Sequence, residues 1–175
     1  MSLSSVMAGT RLVIEGNPAL ARAVFDAQAT MVGATEIDIR SGEHAFTVDE
    51  PPIMGGTDMG PSPFQYALGA LVSCLGVTYS YWGARLGIPF DDLAIRVEGD
   101  ADIRGFWGFD DAVRPGFSDV RVTVNVIGPE SAERYAALRA AVEKHCPVLD
   151  VFRHGVPVTI AAAGPAGEDP APLAP

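Results

Sequence analysis

Cysteine is scarce in this chain: Cys74 and Cys146 are the only two among 175 residues. That excludes the dense disulfide framework of a small secreted domain. Basic side chains are also few, 12 against 22 acidic ones, for a net charge of −10 at neutral pH. Phosphate binding needs clustered Lys and Arg, so neither a broad nucleic-acid surface nor an anionic membrane surface is expected as a partner. The first residues, Met1 to Met7, lack a basic segment followed by a long apolar run, so no signal peptide is indicated. A reducing cytoplasmic setting is therefore expected. There a cysteine pair more often serves catalysis or redox sensing than structure.

Charge is absent altogether from Met59 to Ala84, a stretch long enough to cross a bilayer. Gly69, Ser73, Gly76, Thr78, Ser80 and Gly83 dilute it, and no flanking Lys/Arg cluster sets an orientation. A helix that is apolar all round is also what the buried centre of a globular protein contains.

What is present reads as one domain. Residues 1–20 lack a clear period and are expected to be a flexible leader, followed by a single domain over 21–163 and a mobile Ala/Pro tail over 164–175. Strands are expected at Val24–Val32, Glu36–Arg40 and His44–Val48, with a hairpin turn at Ser41-Gly42-Glu43. A Gly/Pro-rich loop from Asp49 leads to Ser62-Pro63-Phe64-Gln65, which has an N-cap, a proline at the first helical position and a capping box. The helix it opens should end at Leu86, with Gly87 as the stop. Two alternating strands follow, Leu93–Val97 and Val120–Val126, separated by an excursion carrying Phe106, Trp107 and Phe109. A helix from Ser131 to Cys146 is broken by Pro147, and a short helix to Arg153 precedes a last strand, Val156–Ile160. Runs of strands rather than regular alternation with helices indicate an α+β fold with a largely antiparallel sheet.

Cys74 falls in the middle of the apolar helix, where Leu71, Cys74, Thr78 and Tyr81 share a face by three- and four-residue spacing. Taken alone it reads as a buried structural cysteine. Cys146 precedes a proline, so it should end one helix where the next begins. There free N–H groups and the helix dipole favour a thiolate. Val142, four residues earlier, places it on the inward face. A peroxide-reducing pair needs one cysteine to become a sulfenic acid and a second to close a disulfide, so two cysteines are the minimum.

Gly60-Pro61-Ser62-Pro63, the apolar helix with Cys74, Arg85-Leu86-Gly87-Ile88, Val97-Glu98-Gly99-Asp100, Arg114-Pro115-Gly116-Phe117 and Cys146-Pro147-Val148 occur in an order that resembles the OsmC/Ohr family. The resemblance runs from about Ala27 to Val158. It implies antiparallel sheets wrapped around long central helices, in an intertwined homodimer. It also implies thiol-dependent reduction of organic hydroperoxides without a cofactor. Cys74 would be the peroxidatic and Cys146 the resolving cysteine, with a dithiol such as a lipoyl group on a carrier protein as reductant. The family's peroxidases carry a Glu just inside the central helix, where this chain has Phe64 and Gln65. They also carry an Arg near the segment that here reads Val32-Gly33-Ala34-Thr35. Arg40 is the nearest cation, although its alternation with Ile37 and Ile39 also fits a solvent-facing strand residue. Arg104 and Arg114 are others.

Two alternatives stand beside peroxide reduction. One is a peroxidase-inactive relative that binds a small apolar ligand in a dimer-interface pocket. The other is a metal site using Cys74, Cys146 and His145 or His154, against which stands the lack of any short ligand spacing.

Overall fold

The long helix is set by its own ends. In the computed structural model, which describes residues 2–161, α2 spans Pro63–Leu86. The Ser62 N–H donates to Gln65 Oε1 at 2.7 Å and the Gln65 N–H returns to Ser62 Oγ at 3.5 Å, closing the expected capping box. At the other end Gly87 takes φ +61°, which a residue with a Cβ adopts only with strain, and its N–H satisfies the Gly83 carbonyl.

Two antiparallel sheets accompany this helix. The first comprises β1 (Gln28–Met31), β2 (Ile37–Ser41) and β3 (His44–Val48), in that order. The second pairs β4 (Asp92–Ala101) with β5 (Phe117–Ile127). Leu93, Ile95 and Val97 stand opposite Val126, Val124 and Val122, so one face of this ribbon is aliphatic throughout. That face packs on α2. Helices α4 (Ala132–His145) and α5 (Pro147–His154) close over another side of α2. A single turn of helix, α3 (Ile103–Phe106), lies in the excursion between β4 and β5. The architecture is α+β, and the core gathers Leu71, Leu75, Tyr79, Leu138, Val142 and Cys146.

The three-stranded sheet is joined to this body chiefly at the start of α2. There the Tyr66 hydroxyl donates to the Thr47 carbonyl at 2.9 Å, and the Phe46 ring lies 5.1 Å from that of Tyr66. The loop between β3 and α2 is organised by Asp49, whose carboxylate is buried. It accepts from Thr35 Oγ1 at 2.6 Å, from Thr57 Oγ1 at 2.9 Å and from the N–H groups of Glu50, Thr57 and Met59. Gly56 has no alternative here: a Cβ would sit 1.8 Å from the Glu50 carbonyl oxygen.

The fold departs from the sequence expectations in three places. Residues Leu3–Gly16 form a helix, α1, with Ser2 as N-cap, where no period was discernible. It packs against α2, and no residue in it is fully buried. The first strand is only four residues long. Val156–Ile160 forms no strand and finds no ladder partner among the described residues, and Ile160 is 93% exposed. The Ala/Pro tail expected from residue 164 lies outside the described residues. No helix of the described residues is long and apolar enough to cross a membrane, α2 included.

Candidate active site

Cys74 projects from the fourth turn of α2. The buried stripe of that helix runs Leu71, Leu75, Thr78, Tyr79 and Gly83, following the 3.6-residue period. Cys74 sits at the edge of this stripe and is only partly buried. Tyr81 lies on the same edge and is exposed. Tyr79 takes the place in the core that the sequence spacing gave to Tyr81.

Cys146 is both the last cap of α4 and the N-cap of α5. Pro147 forces it into an extended conformation, φ −79° and ψ 112°, and this breaks the helix. Its side chain is 1% exposed, packed in one cluster with Leu71, Leu138, Val142 and Leu149. Its sulfur lies 3.5 Å from that of Cys74, with the Cys146 S–H as donor. Both thiols are free. Seventy-two residues of sequence separate them. The contact exists only because α4 lies along α2 and Pro147 turns the chain at that level.

The electrostatics of Cys146 differ from the sequence expectation. Burial pushes its thiol up, and the neighbouring Cys74 adds to that. The Leu149 N–H, in the first turn of α5, and the Thr78 hydroxyl act in the opposite direction. The expected helix N-terminus is therefore present, but desolvation outweighs it. The Cys146 sulfur rests as a thiol that donates toward Cys74.

The other sequence candidates are not gathered at the sulfurs. Gln65 is engaged in the capping box, nine residues before Cys74, or about 13 Å along the helix axis. Arg40 is exposed on β2, in register with Gln28 and Ala45. Arg104 is held by Asp102 at 2.6 Å. His145 stacks on Trp82 with ring centroids 4.3 Å apart, and His154 pairs with Asp150 at 2.8 Å. Among the described residues no cluster of three His, Cys, Asp or Glu is placed to hold a metal ion. Asp49 carried no sequence signal beyond its place at the head of a Gly/Pro loop.

A groove of about 780 Å³ opens over part of the core cluster that holds Cys146, although neither cysteine lines it. Its floor includes Leu71, Leu75, Val142 and Leu149, the same cluster that encloses Cys146, and its wall is Val120 and Val122 of β5. Arg114 also lines it, the one arginine among the three sequence candidates to do so.

The fold recurs in solved structures. An OsmC-like protein from Mycoplasma pneumoniae superposes with a TM-score of 0.65 at 18% identity, covering 75% of this chain and 89% of that one. An organic hydroperoxide resistance protein OsmC from Legionella pneumophila gives 0.59 at 17% identity, covering 76% and 91%. An organic hydroperoxide resistance protein from Elizabethkingia anophelis, with thiocyanate bound, gives 0.58 at 18%, covering 76% and 90%. No curated protein sequence matches the chain. The family model for OsmC-like protein matches residues 56–161, the span that contains α2, both cysteines and the β4–β5 ribbon. With its Ser-Pro-capped central helix, its cysteine pair across the α2–α4 contact and this match over more than half its length, the chain belongs to the OsmC-like protein family.

Proposed function

We propose that this protein reduces organic hydroperoxides, with Cys74 as the peroxidatic and Cys146 as the resolving cysteine. The observation that carries this reading is the 3.5 Å contact between a partly exposed and a buried sulfur. The Cys74 thiolate attacks the distal oxygen of ROOH. The O–O bond breaks, the alkoxide takes a proton and leaves as ROH, and Cys74 becomes a sulfenic acid. The Cys146 sulfur then attacks Cys74. The S–OH bond breaks, hydroxide leaves with the Cys146 proton as water, and a disulfide forms at about 2.05 Å. A dithiol, such as a lipoyl group on a carrier protein, returns both sulfurs to thiols and is itself oxidised to a disulfide. The chemistry suits a reducing cytoplasm.

No guanidinium hydrogen-bonds the Cys74 sulfur among the described residues. The donor directed at it is the Cys146 S–H, and burial keeps Cys146 itself protonated. Two further observations support a homodimer as the working form. On the three-stranded sheet Met31 is left 67% exposed, and among the described residues nothing fills the groove over β5. A second copy would cover both. An apolar ligand in that groove is the second reading, favoured by Leu71, Leu75, Val120, Val122 and Val124 in a lining that also carries Arg114, Arg139, Glu143 and Arg153.

The deciding experiment mixes reduced protein with cumene hydroperoxide and dihydrolipoamide. Steady hydroperoxide consumption is expected, with Cys74→Ser lowering it at least a hundredfold. Absence of consumption by wild type, with an apolar molecule retained in native mass spectra, would replace the first reading by the second.

A further inference from the structure

We propose that His145 and Trp82 are positioning residues for the cysteine pair, their stacked rings holding the Cys146 end of α4 against α2. This rests on the peroxide-reduction reading above and assigns a role within it.

The two helices run antiparallel. At the start of α4 the Arg134 guanidinium donates to the Gly87 carbonyl at 2.7 Å, just past the end of α2, and the Tyr135 hydroxyl donates to the Pro89 carbonyl at 3.0 Å. At the end of α4, Cys146 meets Cys74 midway along α2. Helical side chains lean toward the N-terminus of their own helix, so on antiparallel neighbours they lean toward each other. His145 thereby reaches Trp82, about two turns beyond Cys74. The rings stack with centroids 4.3 Å apart and planes 15° from parallel.

The two ends of α4 are held differently. The start is tied to backbone carbonyls by hydrogen bonds. At the end, among the described residues, the only hydrogen bond to α2 is the one between the sulfurs, and Pro147 interrupts the helix at that level. Apolar burial of Leu138 and Val142 is non-directional, whereas stacked rings fix separation and tilt. His145 directly precedes Cys146, so what fixes its ring restrains the backbone that carries the sulfur. His145 is itself exposed, and core packing gives it no reason to be aromatic. Trp82 is a firm platform: it packs against the core cluster, and the Arg85 guanidinium lies over its ring at 5.0 Å.

The sulfurs must close from 3.5 Å to about 2.05 Å for a disulfide to form. A thiol held at short range makes that approach at high effective concentration. The stack supplies the hold without touching either sulfur.

The test equilibrates full-length protein with mixtures of reduced and oxidised dithiothreitol and needs no hydroperoxide. The protein S–S bond forms as the reagent's disulfide takes up two electrons and two protons from the thiols. His145→Ala is expected to make the protein disulfide about fivefold less favoured, a potential about 20 mV less negative. Closure after a hydroperoxide pulse should slow by a similar factor. His145→Phe should restore both by restoring the stack. Trp82→Leu should match His145→Ala, and the double variant should lose no more than either alone. Arg134→Ala, which frees the other end of α4, should leave the equilibrium unmoved. An equilibrium in His145→Ala within twofold of wild type overturns the proposal. So does failure of His145→Phe to rescue, or an equal shift in Arg134→Ala, which would make the stack a matter of overall stability. If wild type does not consume hydroperoxide while the His145→Ala shift is present, the peroxidase reading falls and the clamp stands.

Discussion

Asp49 shows how much a single side chain holds here. Five donors converge on one buried carboxylate, from the turn before β2, from its own loop and from the approach to α2. The Thr35 hydroxyl first, and then the Thr57 and Met59 groups, hold it well below the ordinary carboxylate range, although burial acts the other way. Because the folded-state value is depressed, its contribution to stability is complete above the unfolded value, about 4. It is lost as pH falls from there through the folded value. Asp49→Asn is therefore expected to lower the melting temperature at pH 7, with the gap to wild type narrowing below about pH 4. Circular dichroism melts across that range check it; a gap that does not change with pH would assign Asp49 to neutral hydrogen bonding. Sequence reading passed over this residue because each of its donors lies in an irregular segment, where spacing carries no period.

At the scale of elements, α2 and its ends were the most legible part of the chain. Ser62, Pro63 and Gln65 each act locally, within one turn, so their pattern survives without knowledge of the rest of the fold. Ser62→Ala should cost about 1 kcal/mol in a denaturant titration. The edge elements were not legible in the same way. Val156, Val158 and Ile160 alternate like a strand, yet a strand exists only where a neighbour offers a ladder, and none does so among the described residues. Leu3–Gly16 shows the reverse: it forms a helix although none of its residues is fully buried. The break at Cys146-Pro147 was readable because a proline restrains the residue before it whatever the surroundings.

The described residues leave Met31 exposed on the three-stranded sheet and an open groove over β5 lined by both aliphatic and charged side chains. Sedimentation equilibrium is expected to give twice the mass of the chain at micromolar concentration. Substituting Val122→Asp, on the groove wall, should shift that distribution at least tenfold toward monomer. A monomer at all concentrations would instead favour a bound apolar molecule as the occupant.

The sequence by itself determined the local events: where α2 begins and ends, where α4 breaks, which strands alternate, and that only two thiols exist to do chemistry. These follow from steric and hydrogen-bonding rules that act over a few residues. Tertiary structure alone decided that the two sulfurs meet, 72 residues apart in the chain, and that Cys146 is the buried, protonated member. These depend on how α4 and α5 pack on α2, because desolvation and distance between side chains are properties of the packed core. Cysteine was scarce at the outset; packing decided that the scarce residues are neighbours.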